Sequence, residues 1–569
     1  MAKMRQKKFS RLKIYDILVN FVNSCPDKKF LGSILLIGSY LFFWNLGDQY
    51  LKLDEGLTAM LGKNILRFGV PTIWDGKNLI GVPDFSINNI WAQHSWLSFY
   101  LVAFSCYFFS YTSFAALFPF VLSGFVAIPI LYMFSLRISK STSVARFATV
   151  FYTFSVPCLL YSRTARYISL PFPLVLLMMN YYLDILENKQ RSGIKFVTIS
   201  TLLFHSMYIQ FASTFIGIII HFFIFIRNKK TFRKIIKLSL VIAVFTMPWF
   251  FYYPVPALQN IRPYLSKLIG QDYSINLLWI IKSYVAYFAQ INSYIFPLIF
   301  LVFVPVLYKK KKSDIMNEDI SYVALPFIVI CSIISVATIQ VIPLQNYIAG
   351  ALPLIYLFLA IFCEKVRKLN VKIAFLLAFL LITTNLLHVM PWFFLTGLSK
   401  ISDDRLSGKI SSTKLGKRYI NQVKRNAVLR FSLFDYIYEL NHKYNGPIGG
   451  IVSYLKQHGS PEDSVLMGHE SNALIFYTDM KKVVDIPFNK APDWIIPRHN
   501  SSFNILNTRE RTKEEIDSYV WNYINENSYE KIVLEVPDVR SENTYDIQIH
   551  KFRTPVTDRK LTIYHYSKN

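Results

Sequence analysis

Long apolar segments recur along the first two thirds of this sequence, and they constrain its fold more than any other feature. The clearest cover residues 31–44, 114–134, 238–251, 323–342 and 373–395. A helix needs about 20 mostly apolar residues to cross a bilayer, and repeated segments of this kind indicate a membrane protein. With 53% apolar and 16% aromatic residues in 569, the chain is too apolar and too long for one soluble globule. No such segment follows Leu398, so the remainder is predicted to be water-soluble.

The basic residues lie in short clusters between the apolar segments. A net charge of +27 would suit a nucleic-acid-binding protein, but such a protein gathers its charge on one soluble face. The clusters here lie at residues 1–13, 137–146, 189–195, 227–237, 309–312 and 365–372. This distribution follows the rule that cytoplasmic loops are positively charged. It predicts a cytoplasmic segment over residues 1–29 and a transmembrane domain of about 11 to 13 helices over residues 30–398. Residues 47–96 are then a first external loop.

Residues 97–111 and 114–134 are both apolar, yet the charge pattern allows only one net crossing between Trp96 and Arg137. The first of these two segments is therefore expected to lie in the membrane interface or to re-enter the membrane. The basic N-terminal segment is not followed by a signal-peptide cleavage pattern, so the first helix is expected to be retained.

The C-terminal part has a different composition. Residues 399–445 are polar and basic, which predicts a connector on the membrane surface, and residues 446–569 are predicted to form a soluble α/β domain on the extracytoplasmic side. The predicted helices cover residues 450–457 and 473–477, and a third opens at Thr512, where a capping-box pattern precedes an apolar stripe. The predicted strands cover residues 464–467, 482–484, 531–536, 547–552 and 561–566.

Two adjacent carboxylates, Asp54 and Glu55, follow the first apolar segment. Apolar residues at helical spacing over residues 57–68 predict a short amphipathic helix on the membrane surface, with the carboxylates at its N-terminus. Acidic residues at that position can cap the helix. A carboxylate at lipid depth can also act as a general base towards an acceptor hydroxyl. The sequence leaves both roles open.

Two arginines, Arg163 and Arg166, interrupt the apolar region at residues 161–167. The charge pattern places them outside, on the side of Asp54, where basic residues are unusual. Guanidinium groups match phosphate oxygens bidentately, so an anionic phosphate is the expected partner. The alternative is that the topology is inverted at this point and both arginines face the cytoplasm.

A third polar cluster, Gln93-His94-Ser95, lies between two tryptophans where the first external loop re-enters the membrane. Interfacial tryptophans are expected at any such boundary. A lone histidine most often makes structural hydrogen bonds, but His94 is also placed to contact a phosphate or an acceptor.

These three clusters resemble motifs of the GT-C superfamily of polytopic glycosyltransferases. The resemblance is greatest to the branch with the protein O-mannosyltransferases and the lipid A aminoarabinose transferases. Asp54-Glu55 resembles the acidic motif of the first external loop, residues 93–96 resemble the re-entry motif, and residues 162–167 resemble a Ser-Arg-x-Ala-Arg-Tyr signature. Residues 345–347 resemble a later motif more loosely. The sequence departs from the family in lacking prolines after His94, in Ile168 and in Gln345-Asn346 in place of an arginine.

The resemblance implies an inverting glycosyltransferase that takes a sugar from a polyprenyl-phosphate carrier. The acceptor is a hydroxyl of a lipid, glycan or protein outside a prokaryotic plasma membrane. Asp54 is then the general base, and Glu55 sets the local field or contacts the acceptor. Donor phosphate binding is assigned to Arg163, Arg166 and His94. Substrate binding is assigned to Gln93, Tyr167 and Tyr347. The resemblance implies no required cofactor, although a divalent metal is an open alternative.

Two other classes of protein compete with this interpretation. A transporter or flippase of a lipid-linked sugar also has many helices and intramembrane arginines, but it is expected to contain internal repeats, which this sequence lacks. A noncatalytic partner in cell-envelope assembly is harder to separate from an enzyme by sequence. The long first external loop and the C-terminal domain favour the enzyme.

Overall fold

The computed structural model describes residues 27–256, 277–303, 317–340, 344–389 and 429–567, apart from residues 82, 469, 499–502, 504–512, 540–542 and 548. Within these ranges the chain forms a helical bundle followed by a domain with a mixed β-sheet. Most of the predicted cytoplasmic segment and most of the predicted connector lie outside the described residues. The predicted class, a polytopic helical membrane domain with a C-terminal α/β domain, is confirmed.

The described part of the bundle is built mainly from helices. Its helices are α1 Lys28–Phe43, α2 Leu53–Phe68, α3 Leu97–Phe109, α4 Ser113–Ser139, α5 Thr142–Thr153, α6 Val156–Ser162, α7 Pro171–Leu186, α8 Ser192–Ser206, α9 Tyr208–His221, α10 Lys229–Tyr252, α11 Leu277–Tyr294, α12 Asn317–Ala337, α13 Leu352–Leu369 and α14 Val371–Thr383. Three 3₁₀ segments, Pro83–Phe85, Tyr167–Ser169 and Gln345–Ala351, a π-helical segment, Phe222–Ile226, and a hairpin of β1 Ser86–Ile87 and β2 Ile90–Trp91 complete it.

Six helical segments of the described chain are long and apolar enough to cross a bilayer, or seven if α5 and α6, which meet at 59°, form one span. The six are Ser113–Ser139, Tyr167–Leu186, Tyr208–Ile226, Lys229–Pro256, Ile320–Ala337 and Gln345–Leu369. The protein is therefore an integral membrane protein. The total of 11 to 13 crossings stays a prediction, because parts of that region lie outside the described residues.

The two apolar segments at residues 97–111 and 114–134, for which the charge pattern allows one net crossing, form helices α3 and α4. Helix α3 has 13 residues, so it is about 20 Å long and too short for a hydrocarbon core of about 30 Å. Helix α4 has 27 residues and is long enough to cross alone. Thr112 caps its start by accepting a hydrogen bond from the Ala115 N–H. This arrangement agrees with the expected single crossing.

The C-terminal domain, called the tail domain below, is built on a five-stranded sheet. Its helices, with the one that precedes it, are α15 Ser432–Asn441, α16 Pro447–His458, α17 Ser471–Thr478 and α18 Lys513–Glu526. Its strands are β3 Ser464–Met467, β4 Lys481–Lys482, β5 Trp494–Ile496, β6 Tyr529–Pro537 and β7 Lys560–Tyr566. The strand order is β4-β3-β5-β7-β6, with β3 parallel to β4 and β5, and β7 antiparallel to β5 and β6.

Two details of the tail domain differ from the predictions. The strand predicted over residues 547–552 is wrong, because its described residues form a loop in which the Ile549 and His550 N–H groups both donate to the Asp546 carbonyl. The central strand β5 was not predicted.

Helix α15 lies within the predicted polar connector, yet it buries Leu433, Tyr436 and Leu440 against the bundle. It is packed structure and not a surface linker.

The tail domain docks directly on α2 of the first loop, residues 47–96. Gly56 meets α17 so closely that a Cβ atom there would lie 2.4 Å from the Ala473 nitrogen. Further along α2, the Nζ atom of Lys63, which is fully buried, lies 2.6 Å from the Asp479 carboxylate. Residues Ala59, Met60 and Leu61 are fully buried. Helix α2 is thus covered by protein over residues 55–65, while Leu66 and Phe68 in its last turn are exposed; the sequence predicted a helix lying on the membrane surface.

Candidate active site

Asp54 and Arg166 face each other at the end of the bundle that carries the tail domain. Asp54 Oδ2 lies 3.5 Å from Arg166 Nη2. The Asp54 side chain is 47% exposed, whereas that of Arg166 is 11% exposed. The contact places the acidic pair and the second arginine on the same side of the membrane. Which side of the membrane that is, outside or cytoplasmic, stays a prediction.

Glu55 has the capping role that the sequence left open. Its side chain is buried, its Oε2 atom accepts a hydrogen bond of 2.8 Å from the Lys52 N–H, and its Oε1 atom accepts one of 3.2 Å from the Ala165 N–H. The first bond closes a capping box at the start of α2. The second ties α2 to the segment just before Arg166. Both oxygens are bound to backbone, so Glu55 positions Asp54 against Arg166 and does not face an acceptor.

The Arg163 side chain reaches the end of α1. Its guanidinium donates to the carbonyls of Phe42 and Trp44, both at 2.9 Å, and of Asn45 at 3.2 Å. These carbonyls end α1, where a cation is favoured by the helix dipole. Three of its five N–H donors thus bond the end of α1, and the assignment of Arg163 to the donor phosphate stays a prediction.

The guanidinium of Arg166 is surrounded by aromatic side chains. It lies 5.1 Å from the centre of the Tyr167 ring and interacts electrostatically with Tyr347 and Tyr545. Its Nε atom is buried and donates to no residue in the described part of the chain. Because a guanidinium has five N–H donors in a planar fork, Arg166 can contact Asp54 and still bind an anion.

His94 lies between two aromatic rings. It stacks on Trp91, with ring centres 5.9 Å apart, and tilts against Tyr167 at 5.1 Å. Burial, followed by the positive charge of Arg166, lowers the pKa of His94 to about 3. The imidazole is therefore neutral at physiological pH. It can donate a hydrogen bond to a phosphate but cannot supply the positive charge that the sequence-based assignment expected.

The remaining predicted substrate-binding residues are brought together in part. Tyr167 lies in the cluster through its contacts with Arg166 and His94. Tyr347 lies in the 3₁₀ segment before α13, where its carbonyl accepts a hydrogen bond from the Gln210 amide. The backbone carbonyl of Gln93 accepts a hydrogen bond of 3.4 Å from the Tyr208 hydroxyl. The side-chain role predicted for Gln93 stays a prediction.

Tyr545 of the tail domain reaches the same cluster, and sequence reasoning did not find it. Its ring centre lies 5.8 Å from that of Tyr161, and its phenol interacts electrostatically with Arg166 and Asp54. Burial raises the pKa of Tyr545, so the phenol keeps its proton and can donate a hydrogen bond. Tyr545 lies in the loop that the sequence predicted as a strand, and no motif surrounds it. Only the folded arrangement of the two domains identifies it.

Within the ranges that the structure describes, no group of three or more His, Cys, Asp and Glu side chains is placed to hold a metal ion. The independence from metal that the resemblance implied stays a prediction.

Comparisons with protein-family models and with curated protein sequences gave no match. Among solved structures, the crystal structure of ArnT from Cupriavidus metallidurans bound to undecaprenyl phosphate matches with a TM-score of 0.57 and 10% sequence identity, covering 96% of this chain and 99% of ArnT. The chain has the GT-C fold. The apo structure of ArnT matches with a TM-score of 0.50 and 10% identity, covering 97% of this chain and 98% of that one. At such low identity the likeness concerns the fold and leaves the activity open.

Within this GT-C fold, the cluster combines three chemical capacities. Asp54 is a half-exposed carboxylate that can accept a proton. Arg166 is a largely buried cation that can bind an oxyanion. The ring of Tyr167 lies against the cation, and within the described part of the chain Asp54 is the carboxylate paired with it. The arrangement suits a reaction in which a proton leaves on one side and negative charge develops on the other.

Proposed function

We propose that this protein is a glycosyltransferase that moves a sugar from a polyprenyl-phosphate donor to an acceptor hydroxyl on the extracytoplasmic face of the membrane. The observation that carries this proposal is the Asp54–Arg166 pair, 3.5 Å apart, at one end of a GT-C bundle. A half-exposed base beside a buried cation is what such a transfer needs. The ArnT structure, which contains undecaprenyl phosphate, supports a lipid phosphate as the partner.

The reaction proceeds by direct displacement at the anomeric carbon. Asp54 accepts the proton of the attacking hydroxyl as its oxygen bonds to the anomeric carbon. The bond between that carbon and the phosphate oxygen breaks, and polyprenyl phosphate leaves with the bonding electrons. Because attack and departure occur on opposite faces, the configuration is inverted. Arg166 meets the negative charge that develops on the phosphate.

The ion pair also suggests how the site responds to donor. Arg166 contacts Asp54 through Nη2, while its buried Nε has no described partner. A donor phosphate takes up the free donors of the guanidinium and draws part of its charge from Asp54. The carboxylate is then free to accept the proton when the acceptor hydroxyl arrives. Donor binding in this scheme prepares the base for the transfer.

The position of the site at one end of the transmembrane bundle fits a donor with an isoprenoid chain. Each methylene transferred from water to an apolar environment contributes about 0.8 kcal/mol, so the lipid chain anchors the donor without sugar contacts. The protein groups at the site are then left to select the sugar and the acceptor. The cation needed at the phosphate is Arg166, so no metal is required by this scheme.

Replacement of Asp54 by Asn tests the proposal. The purified protein is incubated with a panel of radiolabelled polyprenyl-phosphate hexoses and a solubilised envelope fraction, and label transfer is followed. Asp54→Asn should lower kcat by at least about a hundredfold while leaving donor affinity within a few fold, because a general base acts in the transition state. Asp48→Asn, an exposed carboxylate of the same loop, is the matched control and should keep full activity.

Three results would contradict the proposal. Full activity of Asp54→Asn would remove the base from Asp54. Strict dependence of transfer on a divalent cation would contradict a charge balance that rests on Arg166. Movement of the labelled lipid across vesicles by the unmodified protein, without transfer to any acceptor, would favour a flippase.

A further inference from the structure

Helix α15 joins the ends of two helices of the bundle, α14 and α1. At its start, the Arg430 N–H donates a hydrogen bond of 2.7 Å to the side chain of Asn385, two residues beyond α14. At its far end, the Asn441 amide donates one of 2.8 Å to the hydroxyl of Tyr40, in the last turn of α1. Helix α15 is only about 15 Å long, half the thickness of a hydrocarbon core of about 30 Å. The ends of α14 and α1 therefore lie at the same end of the bundle, and α15 lies across that end.

Both of these helices present large apolar side chains to their surroundings. Phe375, Leu376 and Phe379 of α14 are exposed in the folded chain, and so is Leu36 of α1. In an integral membrane protein, an exposed apolar surface of this kind is covered by lipid. Helix α15 thus lies where two lipid-covered helices end.

The exposed side of α15 is aromatic. Phe434 and Tyr438 on the helix, with Phe431 just before it, are exposed and share one side at helical spacing. The opposite side of the helix is buried against the bundle. A helix that faces water carries its polar residues outward. Here the buried Glu439 turns inward to His550 of the tail domain, 2.7 Å away, and aromatic rings are left outward.

Two further aromatic residues extend this side of α15 to the end of α1. Tyr40 and Trp44 pack with their ring centres 5.6 Å apart, and Trp44 is 49% exposed. Tyr40 is the residue that binds Asn441 at the end of α15. Tyrosine and tryptophan are enriched where a protein passes from hydrocarbon to the headgroup region. The exposed rings thus form one aromatic face, which consists of Tyr40, Trp44, Phe431, Phe434 and Tyr438.

Basic side chains border the aromatic face where α15 ends. The guanidinium of Arg553 lies 4.4 Å from the centre of the Tyr438 ring. The Asn445 N–H donates a hydrogen bond of 2.9 Å to the Thr554 hydroxyl, which holds the loop of Arg553 beside the segment that follows α15. Lys443, in that same segment, is exposed. Two cations therefore lie next to the rings.

Asp435 compensates part of this positive charge. Its carboxylate lies 3.9 Å from Arg553, and the two side chains are 38% and 66% exposed. An exposed pair at this distance is weak, so Arg553 can still bind a phosphate group. Basic residues at the bilayer surface are attracted to the headgroups of anionic lipids. The charge at the edge of the aromatic face is thus complementary to an anionic phospholipid.

We propose that the aromatic face lies in the interfacial layer of the bilayer and that Arg553 and Lys443 bind the headgroups of anionic phospholipids there. The partner is a lipid surface for two reasons. The face is continuous with helices that lipid covers, and the cations at its edge are complementary to phosphate. The tail domain is then held against the membrane through Arg553 as well as against the first loop. This binding surface is independent of the transfer activity.

Fluorescence quenching by a labelled lipid tests the position of the aromatic face. A genetically encoded fluorescent amino acid replaces Phe434 in the full chain, which is reconstituted into phosphatidylcholine vesicles that contain a lipid with a nitroxide near its headgroup. The matched control carries the same fluorophore in place of Trp521, an exposed aromatic residue of α18, which packs on a core made of tail-domain residues. The nitroxide should quench the fluorophore at position 434 at least about threefold more strongly, because an interfacial residue meets the label and a residue in water does not.

A second measurement tests the preference for anionic headgroups. Quenching at position 434 is compared between nitroxide-labelled phosphatidylglycerol and nitroxide-labelled phosphatidylcholine, each at the same density in phosphatidylcholine vesicles. The anionic lipid should be enriched about two- to fivefold around the fluorophore, since one basic residue near an anionic lipid contributes up to about a factor of five in affinity. The double substitution Lys443→Gln and Arg553→Gln should remove this enrichment. Lys490→Gln with Lys531→Gln, which removes the same charge at two other exposed positions of the tail domain, should keep it.

Three results would overturn the inference. Equal quenching at positions 434 and 521 would place the aromatic face outside the bilayer. Weak quenching at position 434 in a protein that self-associates in the vesicles would assign the face to contact with a second copy. Equal quenching by the two labelled lipids, or an enrichment that survives the loss of Lys443 and Arg553, would refute the role of these cations.

Discussion

At the scale of residues, Arg163 and Arg166 show how two identical side chains acquire different surroundings. Arg163 is the C-cap of α6, and its side chain reaches the carbonyls that end α1. Arg166 follows in extended backbone at the start of a 3₁₀ segment and faces Asp54. The sequence predicted only that both arginines lie on the same side of the membrane as Asp54. It could not separate the two arginines, because their directions depend on where α6 ends.

Substitution of each arginine by glutamine should separate these two roles. Arg166→Gln should raise the dissociation constant for polyprenyl phosphate by about 10- to 100-fold, since a charge-assisted hydrogen bond contributes about 1.5–3 kcal/mol. Arg163→Gln should leave that constant within about threefold and lower the melting temperature instead, because it removes the cap of α1. Equilibrium binding and thermal unfolding of both variants check this prediction. Equal losses of affinity in the two variants would contradict it.

At the scale of elements, α2 links the acidic pair to both domains. Its start is fixed by Glu55, its side is pressed on α17 at Gly56, and its far end pairs Lys63 with Asp479. The sequence predicted the helix and its N-terminal carboxylates. It could not predict that the helix would be covered, because an apolar stripe buries equally well against lipid or against protein.

Gly56 gives this packing a direct test. A Cβ atom at Gly56 would lie 2.4 Å from a backbone nitrogen of α17, which cannot move as a flexible side chain can. Gly56→Ala should therefore destabilise the protein by about 1–3 kcal/mol and increase proteolysis of the tail domain. Gly32→Ala, in α1, has nothing within 4 Å of the added Cβ and should not destabilise. Thermal unfolding and limited proteolysis compare the two, and a Gly56→Ala protein as stable as Gly32→Ala would contradict the packing.

The elements of the tail domain mark where sequence patterns suffice. Strand β3 forms at residues 464–467 as predicted, because a compact apolar run ends in turn residues. The pattern over residues 547–552 also alternates, but the segment forms a loop. His550 pairs with Glu439 of α15, and the chain turns at Asp546. Strand β5 has three residues, all buried, and is too short to show alternation. Tertiary contacts decided both of these cases.

At the scale of the whole molecule, the tail domain and the first loop form one continuous structure. Asn78 of the first loop accepts a hydrogen bond of 2.6 Å from the Lys482 N–H on the edge strand β4. The preceding elements are joined as well, because Tyr436 of α15 donates a hydrogen bond of 2.8 Å to the Leu41 carbonyl of α1. The sequence predicted both parts and placed them on one side of the membrane. It gave no sign of the docking, because complementary surfaces from positions about 400 residues apart leave no local pattern. For that reason Tyr545 could be found only in the structure.

The location of a bound lipid phosphate tests the account most directly. A structure of the protein determined with polyprenyl phosphate should place the phosphate oxygens about 2.7–2.9 Å from the Arg166 guanidinium, with Arg163 still bound to the carbonyls of α1. The Asp54 carboxylate should then lie on the side of the sugar position that faces the tail domain. A phosphate bound to Arg163 or elsewhere in the bundle, with Arg166 paired to Asp54 alone, would contradict the proposed reaction centre.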